Sequence, residues 1–271
     1  RKIALFLNMA SSSPAIELQA ALARDLIDRG NSVTAYLCDA SFRSPMDNPF
    51  NSFFIRAYTE FRAKEAMKIA GVPLKRIHLE KNEPDLPKEI SATLELAVMS
   101  SFASLLKAQS KEELNSKWAR AYDRMYASAK RLYDFFVQEI GREQYDFVCM
   151  YNGRFGDVRP VLEAAKQSGA GFVLTELKRM TLEVVCVNEL VHSIEGNTRR
   201  AIAFYEQDPI QAEKNAEKFF NRRLKKADAK EPIYTKNQES GMLPERVGST
   251  YNKVIAVYPT TDDEYKFIGK E

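Results

Sequence analysis

The sequence predicts an α/β fold in which a parallel sheet is flanked by helices. Two series of apolar strand-like runs separated by helical segments, within residues 2–39 and 145–188, indicate β-α-β units. Most of these runs are continuously apolar, which is typical of strands that are buried on both faces of a parallel sheet. With 271 residues, of which 45% are hydrophobic, the chain can bury a sizeable core.

The first unit opens with the run KIALFLNM at residues 2–9, which we interpret as a buried strand. A helix is predicted over residues 15–30 because apolar residues recur there at helical spacing, with Ser13 before it as a cap. The run SVTAYLCD at residues 32–39 is then the second strand. The connection between this helix and this strand is short, as parallel α/β units require.

Residues 40–141 are predicted to be mainly helical. After a loop rich in aromatic residues and proline, a helix is expected over residues 55–71, and residues 75–80 are compatible with a short third strand. A helical insertion is expected over residues 90–141, where two long helices follow each other. The second of them carries Trp, Tyr and Met along one side at helical spacing, which is typical of a core-facing helix.

A second series of alternating elements follows the insertion. It is predicted to comprise a strand at 145–152, a helix at 157–169, strands at 170–177 and 182–188, and helices at 195–207 and 209–228. Residues 253–271 then have the pattern of a strand, a polar loop and a helix start. We therefore expect one domain over residues 1–250 and the truncated start of a second at 251–271, so that the chain is a fragment. The alternative is a third unit that completes the first sheet.

Composition argues against several classes of protein. The net charge is only +3, from 40 basic and 37 acidic residues, which argues against a dedicated nucleic-acid-binding protein. No run reaches 18 apolar residues and no signal peptide is recognised, so a cytoplasmic location is expected. Cys38, Cys149 and Cys186 have no metal-ligand spacing and suit reduced thiols of a cytosolic protein. Dinucleotide-binding and P-loop glycine motifs do not occur.

The polar residues after the predicted strands are the candidates for a binding site, because ligands of open parallel sheets bind outside the carboxyl ends of the strands. Asn152, Gly153, Arg154 and Asp157 follow the strand at 145–152. One interpretation is an ordinary strand-to-helix turn in which Asp157 caps the helix. The other is an active site in which Arg154 grips a carboxylate or phosphate while Asp157 orients it or acts as a base. The capped turn does not explain Arg154.

Other predicted strand ends carry further candidates. Ser12 and its neighbours follow the first strand, where they either bind phosphate or sugar hydroxyls or, as we favour, cap the next helix. The remaining candidates lie after the later strands or at the start of the following helix: Glu176, Arg179, His192, Asn197 and Arg199. No metal-ligand spacing appears among them, and the set suits sugar hydroxyls and an anionic group better than a cation.

Three stretches resemble bacterial capsule and surface-polysaccharide biosynthesis proteins, a group of GT-B-like glycosyltransferases that includes transferases of the sugar acid Kdo. They are NGRFGDVRPVLEAAKQSG at 152–169, HSIEGNTRRAIAFYEQ at 192–207 and VIAVYPTTDDEYKFIGKE at 254–271. The shared features are the Asn-Gly-Arg turn, the Asn-Thr-Arg helix start, and a strand followed by Thr-Thr-Asp-Asp-Glu. The resemblance covers the chain from about residue 145 to its end, with a looser match in the first strand and helix.

The resemblance implies two Rossmann-like domains across a cleft, of which this chain holds the N-terminal, acceptor-side one. It implies transfer of a sugar, such as Kdo or another sugar acid, from a nucleotide-sugar to a hydroxyl of a capsule or lipopolysaccharide glycan, without metal or other cofactor. Asp157 or Glu176 is then expected as the base or nucleophile, and His192 as an alternative base. Substrate-binding roles are expected for Asn152, Gly153, Arg154, Arg179, Asn197, Arg199 and Ser12.

Two alternatives stay open at this point. One is a non-catalytic module that binds a sugar or a nucleotide, and the other is a nucleotide-sugar epimerase, which shares the two-domain architecture. The expected partners are a nucleotide-sugar and a glycan acceptor, with peripheral association with the inner membrane or with polysaccharide assembly proteins. No nucleic acid is expected as a partner.

Overall fold

The computed structural model describes residues 1–178, 183–224 and 267. Within this part of the chain, one sheet is formed by six strands: β1 (Lys2–Phe6), β2 (Ser32–Cys38), β3 (Leu74–Ile77), β4 (Phe147–Tyr151), β5 (Gly171–Lys178) and β6 (Glu183–Val187). Their order across the sheet is β3-β2-β1-β4-β5-β6, and β1 to β5 run parallel. This confirms the predicted α/β fold with a mainly parallel sheet, and the strand order is compatible with a Rossmann-like fold.

Seven helices are described, and those that contribute to the two cores lie on both faces of the sheet. The seven helices are α1 (Ala15–Asp28), α2 (Phe53–Ala70), α3 (Lys88–Leu106), α4 (Ser116–Glu143), α5 (Arg159–Gln167), α6 (Ile194–Gln207) and α7 (Pro209–Leu224). The predicted helical insertion over residues 90–141 corresponds to α3 and α4, which are separated by a single 3-10 turn at Lys111–Glu113.

The continuous apolar pattern of β1 follows from burial on both faces of the sheet. Ala4 and Phe6 belong to a core that includes residues of α3, α4 and α5, whereas Ile3 and Leu5 belong to a second core with α1 and α2. All four are at most 4% exposed. A strand that alternated apolar and polar residues would place polar groups in one of these two cores.

The apolar stripe predicted on the second helix of the insertion lies in the core. Met125, Leu132 and Phe136 of α4 are fully buried, and Trp118 is partly buried against the same core. The side chain of Asn115 caps this helix by accepting hydrogen bonds from two backbone N–H groups of its first turn. The interpretation of this stripe as a core-facing surface is therefore confirmed.

Among the described helices, α3 is long and apolar enough to cross a membrane by length and composition alone. Its residues Leu94, Val98 and Phe102 are fully buried, and they belong to the core that α4 also enters. A helix in the core of a folded domain has the same composition, so packing accounts for the apolar character of α3.

The direction of β6 corrects one expectation about the edge of the sheet. β6 pairs antiparallel with β5, with Leu174 opposite Val187 and Lys178 opposite Glu183. Its carboxyl end therefore lies beside the middle of β5 and not at the carboxyl edge of the parallel strands. The connection at residues 179–182 is too short for the crossover that a parallel pair needs. The expectation that the residues after each predicted strand lie at the carboxyl edge of a parallel sheet is therefore wrong for this strand.

The expected domain boundary near residue 250, and the GT-B arrangement of two domains, are not tested. Residues 225–266 and 268–271 lie outside the described part of the chain. Phe267 is described: it is 8% exposed and belongs to the core that includes residues of α3, α4 and α5.

Candidate active site

The candidate site is a cavity at the carboxyl edge of the parallel strands. The strand order reverses next to β1, and ligands of open α/β sheets bind in the crevice at such a reversal. The cavity has a volume of about 70 Å³. It is lined by the chain after β1 and β2, by the loop between β2 and α2, by the first turns of α2, and by Asp157 after β4.

Asp157 is the buried carboxyl group of this cavity. The residue is 6% exposed, and the backbone N–H of Met46 donates a hydrogen bond to Oδ2 over 3.1 Å. Oδ1 is buried and has no hydrogen-bond partner among the described residues. Burial, together with the negative charge of Asp47, raises the pKa of Asp157 to about 7. This group can therefore accept or donate a proton near neutral pH.

Asp157 does not cap the helix that follows it. α5 begins at Arg159, its N-cap residue is Val158, and no side chain makes a capping hydrogen bond there within the described chain. The backbone N–H groups of Val158 and Arg159 donate instead to the carbonyl oxygen of Phe155. The explanation of Asp157 as a simple helix cap is therefore wrong, because its carboxyl group turns towards the loop that follows β2.

Two of the other carboxylates that line the cavity accept hydrogen bonds from serine side chains. Ser11 Oγ donates to Asp47 Oδ2 over 2.5 Å. Ser41 donates to Asp39 Oδ1 from its backbone N–H over 2.7 Å and from its hydroxyl over 2.5 Å, and His78 Nδ1 lies 2.8 Å from Asp39 Oδ2. Burial opposes the ionisation of Asp39, but the bonds from Ser41 and His78 outweigh it and lower the pKa of this carboxyl group.

The ionisable lining of the cavity is mainly acidic. Among its described lining residues, Arg56 is the single arginine or lysine, beside the carboxyl groups of Asp39, Asp47, Glu60 and Asp157. The expectation that the predicted site residues suit an anionic group better than a cation rested on arginines at other positions, so it stays a prediction for those residues. Ligands that donate hydrogen bonds complement such a lining.

Asn8 joins the two strands at the edge of the cavity. Its Nδ2 donates to the carbonyl oxygen of Tyr151 over 3.0 Å, and its Oδ1 accepts from the backbone N–H of Tyr151 over 3.1 Å. These bonds continue the pairing of β1 with β4 beyond the end of β1. The fully buried Gln19 of α1 also donates, through Nε2, to the carbonyl oxygen of Phe6 over 2.9 Å. The end of β1 is thus held from two sides.

The turn after β4 requires its glycine. Asn152 and Gly153 have φ angles of 66° and 86°, in the left-handed region. A Cβ atom on Gly153 would lie 2.7 Å from Leu174 Cδ1, so a larger residue would have to displace the Leu174 side chain. Asparagine tolerates the left-handed conformation better than most residues, which explains Asn152 at the preceding position.

The structure brings Asn152, Glu176 and His192 together beside this turn. Asn152 Nδ2 donates to Glu176 Oε2 over 2.5 Å, and the Tyr151 hydroxyl donates to Glu176 Oε1 over 2.6 Å. Asn152 Nδ2 lies 3.5 Å from His192 Nε2. Two of the predicted bases therefore adjoin the same asparagine, because the chain after the antiparallel β6 returns towards the end of β4.

Arg154 has a buried guanidinium group that lies against α3. The residue is 8% exposed, its Nη2 donates to Ser104 Oγ over 3.2 Å, and its guanidinium carbon lies 4.5 Å from the centre of the Phe155 ring. It is not among the residues that line the cavity. Its predicted role in binding an anionic group stays a prediction, and the contacts with Ser104 and Phe155 give it a structural role.

Ser12 lies in the turn between β1 and α1. Its backbone N–H donates to the carbonyl oxygen of Met9 over 2.9 Å. Pro14 occupies the capping position of α1, where no side-chain capping bond is present in the described structure. The favoured explanation of this serine run as a helix cap is therefore wrong, and its neighbour Ser11 bonds Asp47 instead.

The remaining predicted residues lie at or near α6. Asn197 Nδ2 donates to the carbonyl oxygen of Val191 over 3.1 Å, and Arg199 forms an ion pair with Glu189. Arg179 lies outside the described residues. Of the predicted site residues, only Asp157 lines the cavity; the others that the structure describes lie around Asn152, near α6, against α3 or in the turn before α1.

Sequence reasoning did not select Asp39 or Asp47. Asp39 ends the predicted second strand, so the same consideration of strand ends that selected Asn152 could have found it. Asp47 lies in an irregular loop where no local pattern marks it. Its neighbour Met46 is 111 residues from Asp157 in the chain, so only the tertiary structure brings this loop to the carboxyl group.

The described residues include no group of three or more His, Cys, Asp or Glu side chains arranged to hold a metal ion. The carboxyl groups that line the cavity are therefore not a ready set of metal ligands. Whether the protein uses a metal is not tested by this geometry, and the expectation of a metal-free reaction stays a prediction.

The chain has distant structural relatives among solved structures. No family model matches the chain, and no curated protein matches it. Among solved structures, the chain is similar to the zinc-inhibited form of teicoplanin deacetylase Orf2, with 12% identity, a TM-score of 0.38, and coverage of 70% of this chain and 73% of that one. It is also similar to a deacetylase–teicoplanin complex from teicoplanin biosynthesis, with 13% identity, a TM-score of 0.35, and coverage of 65% and 70%. A likeness at this level carries no conclusion about activity.

These comparisons do correct the family resemblance drawn from the sequence. The solved structures that the chain is similar to are deacetylases and not glycosyltransferases, and no family model accounts for the stretches quoted above. The assignment to capsule glycosyltransferases that use a nucleotide-sugar is therefore wrong, and the epimerase and non-catalytic alternatives are no better supported. Short turns and helix starts of this kind occur in proteins that share a fold but differ in function. Gly153 is an example, because contact with Leu174 explains the glycine without any reference to function.

Proposed function

We propose that this chain is an enzyme that exchanges protons with a small, hydrogen-bond-donating substrate in the cavity, with Asp157 as the proton-transferring group. The observation that carries this proposal is that Asp157 lines the cavity and that its buried Oδ1 has no hydrogen-bond partner among the described residues. A buried polar atom without a partner costs about 1–3 kcal/mol. Such a cost is expected where a substrate supplies the missing hydrogen bond.

The protonation equilibrium of Asp157 supports this role. With a pKa of about 7, both the acid and the carboxylate are populated at neutral pH. The group can then take a proton from a hydroxyl, an amine or water, and return it later in the reaction. Because Met46 already donates to Oδ2, Oδ1 is the atom that would face the substrate.

The size and lining of the cavity limit the substrate. A volume of about 70 Å³ has room for roughly two water-sized groups of about 30 Å³ each, so a larger substrate would place only its reacting end there. The ionised carboxylates of Asp39 and Asp47 accept hydrogen bonds and donate none. We therefore propose that the reacting end of the substrate carries hydroxyl or amino groups.

We propose that the Asn152 cluster contacts the remainder of a larger substrate. Asn8 lines the cavity and bonds Tyr151, whose hydroxyl in turn bonds Glu176 of the cluster. This chain of contacts supports a binding surface that continues from the cavity. In this proposal Glu176 and His192 bind the substrate, whereas Asp157 transfers the proton.

We further propose that the reaction uses neither a metal nor an organic cofactor, and that the protein is cytoplasmic. Asp157 supplies proton transfer without help from a metal ion, which supports the first part. The three cysteines are free thiols, as is usual in a reducing compartment, which supports the second part.

The test is to screen small polyols, amino alcohols and hydroxy acids for binding by ligand-observed NMR, and to follow conversion of the ligands that bind. Asp157→Asn keeps the shape of the side chain but cannot exchange the proton. We expect this variant to bind the same ligands and to convert them about 10²- to 10⁴-fold more slowly.

Asp28→Asn, on the exposed face of α1, is the matched control and should behave like the wild type. Conversion by Asp157→Asn at the wild-type rate would remove Asp157 from the mechanism and with it the proposed function.

A further inference from the structure

The proposed cavity carries an excess of negative charge. Four carboxyl groups and one guanidinium group lie among its described lining residues, which gives a formal charge of −3 when all five are ionised. Arg76, outside the lining, pairs with Glu60 over 2.8 Å and reduces this charge to −2. A negatively charged site attracts cations more strongly than neutral hydroxyl compounds of the same size. The charge of the lining therefore favours positively charged hydrogen-bond donors over neutral ones.

We propose, building on the function proposed above, that the cavity binds a primary ammonium group and that Asp157 releases a proton when this group binds. An ammonium group donates three hydrogen bonds and accepts none, so it complements a lining of acceptors. The buried Oδ1 of Asp157 would accept one of these bonds, and Asp47 lies close enough to contribute its charge.

The groups around Asp157 are consistent with this exchange. The ionisable residues that line the cavity together with Asp157 come from the end of β2, the following loop and α2. They are Cys38, Asp39, Asp47, Arg56 and Glu60. Burial, and then the charge of Asp157, raise the pKa of the Cys38 thiol, so this thiol stays neutral. Near Asp157 in the chain, Arg159 is paired with Glu163 over 2.5 Å and Arg154 donates to Ser104.

A proton and an ammonium group would relieve the same unfavourable interactions. In the free protein the proton on Asp157 offsets the burial of its carboxyl group and the repulsion from Asp47. A bound ammonium group would also offset the burial and the repulsion. The proton and the ammonium group therefore compete, and each weakens the binding of the other by the same factor. The affinity for an amine should therefore rise with pH until Asp157 is fully ionised.

A metal ion fits this cavity less well than an ammonium group. Within the described part of the chain, no three ligand side chains are arranged to hold a metal ion. A divalent cation needs several oxygen ligands at fixed short distances, whereas an ammonium group needs only acceptors at hydrogen-bond distance. An organic cation is therefore the ligand class that the lining favours.

The experiment compares amines with neutral polyols of similar size by titration calorimetry of the wild-type protein. The probes are ethanolamine and 2-amino-1,3-propanediol, with ethylene glycol and glycerol as their neutral counterparts. Each titration is run in two buffers of different ionisation enthalpy, which gives the number of protons released. We expect release of about 0.9 proton per bound amine at one pH unit below the pKa of Asp157, and about 0.1 at one unit above it.

Between one pH unit below and one unit above the pKa of Asp157, the affinity for the amines should rise about tenfold. The amines should also bind more tightly than the polyols. Asp157→Asn should abolish proton release and flatten the pH profile. Asp47→Asn removes the repelling charge and should shift the profile to lower pH, whereas Asp28→Asn should reproduce the wild type.

The outcomes separate this inference from the function on which it rests. Equal affinity for amines and polyols without proton release, or no binding of the amines, would overturn the ammonium inference and leave proton transfer by Asp157 standing. Proton release that persists in Asp157→Asn would assign the titration to another group and also overturn the inference. The proposed function fails separately, if Asp157→Asn converts its ligands at the wild-type rate.

Discussion

The side chain of Asn8 and the backbone of Tyr151 exchange two hydrogen bonds, of 3.0 and 3.1 Å, at the carboxyl ends of the two central strands. Asn8 is 4% exposed, so these bonds lie in a region from which water is excluded. An amide side chain here takes the place of a further pair of residues in the parallel ladder. It fixes the position of the turn after β4 relative to the loop after β1, and both adjoin the candidate site.

We expect Asn8→Ala to lower the free energy of unfolding by about 1–3 kcal/mol, because it leaves the backbone groups of Tyr151 without their partners. Urea denaturation of both proteins measures this difference. Asn215→Ala, on the exposed surface of α7, is the control and should change the stability by less than about 0.5 kcal/mol. Equal losses in the two variants would show that the Asn8 bonds are not important for stability.

The raised pKa of Asp157 predicts a loss of stability with rising pH. Its pKa is about 7 in the folded protein, whereas an aspartate in an unfolded chain has a pKa of about 3.9. The folded state therefore binds more protons between these values, and stability falls as the pH rises from about 4 to about 7. This group alone contributes a slope of up to ~1.4 kcal/mol per pH unit in that window.

Asp157→Asn removes this contribution, so its free energy of unfolding should exceed that of the wild type at about pH 8 and approach it at about pH 4. Denaturation curves across this interval measure both profiles, with Asp28→Asn as the exposed control. Profiles that run parallel in the wild type and in Asp157→Asn would contradict the raised pKa of Asp157.

Two glycines should respond to alanine substitution in opposite directions. Gly153→Ala places a Cβ 2.7 Å from Leu174 Cδ1 at a φ of 86°, and should destabilise the protein by about 1–3 kcal/mol. Gly141 lies within α4, and no atom is within 4 Å of a Cβ added there. Because alanine favours the helix more than glycine does, Gly141→Ala should stabilise the protein by about 0.5–1 kcal/mol. Thermal denaturation distinguishes them, and a stable Gly153→Ala would show that Leu174 moves aside without cost.

Substitution of Arg154 distinguishes a role in ligand binding from a role in stabilising the fold. We expect Arg154→Met to lower the free energy of unfolding by about 1.5–3 kcal/mol, because the charge-assisted bond to Ser104 is lost. Ser104→Ala should reproduce part of this loss. Titration with inorganic phosphate measures the alternative: a wild-type affinity that disappears in Arg154→Met would establish the anion-binding role predicted from the sequence.

Removal of metal ions should leave the activity unchanged. Because Asp157 is proposed to transfer the proton without a metal, dialysis against a chelator should alter neither ligand binding nor the rate of conversion. Parallel samples that receive Zn²⁺ or Mg²⁺ after dialysis serve as controls. Activity that disappears on chelation and returns with one of these ions would show that the reaction depends on a metal.

Local sequence patterns predicted most of the elements, but not the groups that meet at the site. Residues 182–188 were recognised as a strand, yet the direction of β6 depends on the length of the connection before it. The position of Asp157 after a buried strand predicts a site residue. The prediction that it caps α5 is wrong, because its carboxyl group accepts a hydrogen bond from the loop that follows β2. Asp47 was missed because an irregular loop has no periodicity from which a position can be inferred.

The sequence alone determined the α/β class, since continuous apolar runs and helical spacing follow from burial of each element whatever its neighbours are. It also determined which residues follow the strands, including Asn152 and Asp157. Only the tertiary structure decided that Asp157 lies beside Asp47 in a small acidic cavity while Arg154 turns inward to α3. Burial and electrostatic repulsion depend on residues far apart in the chain, so the pKa of Asp157 follows from packing and not from the local sequence.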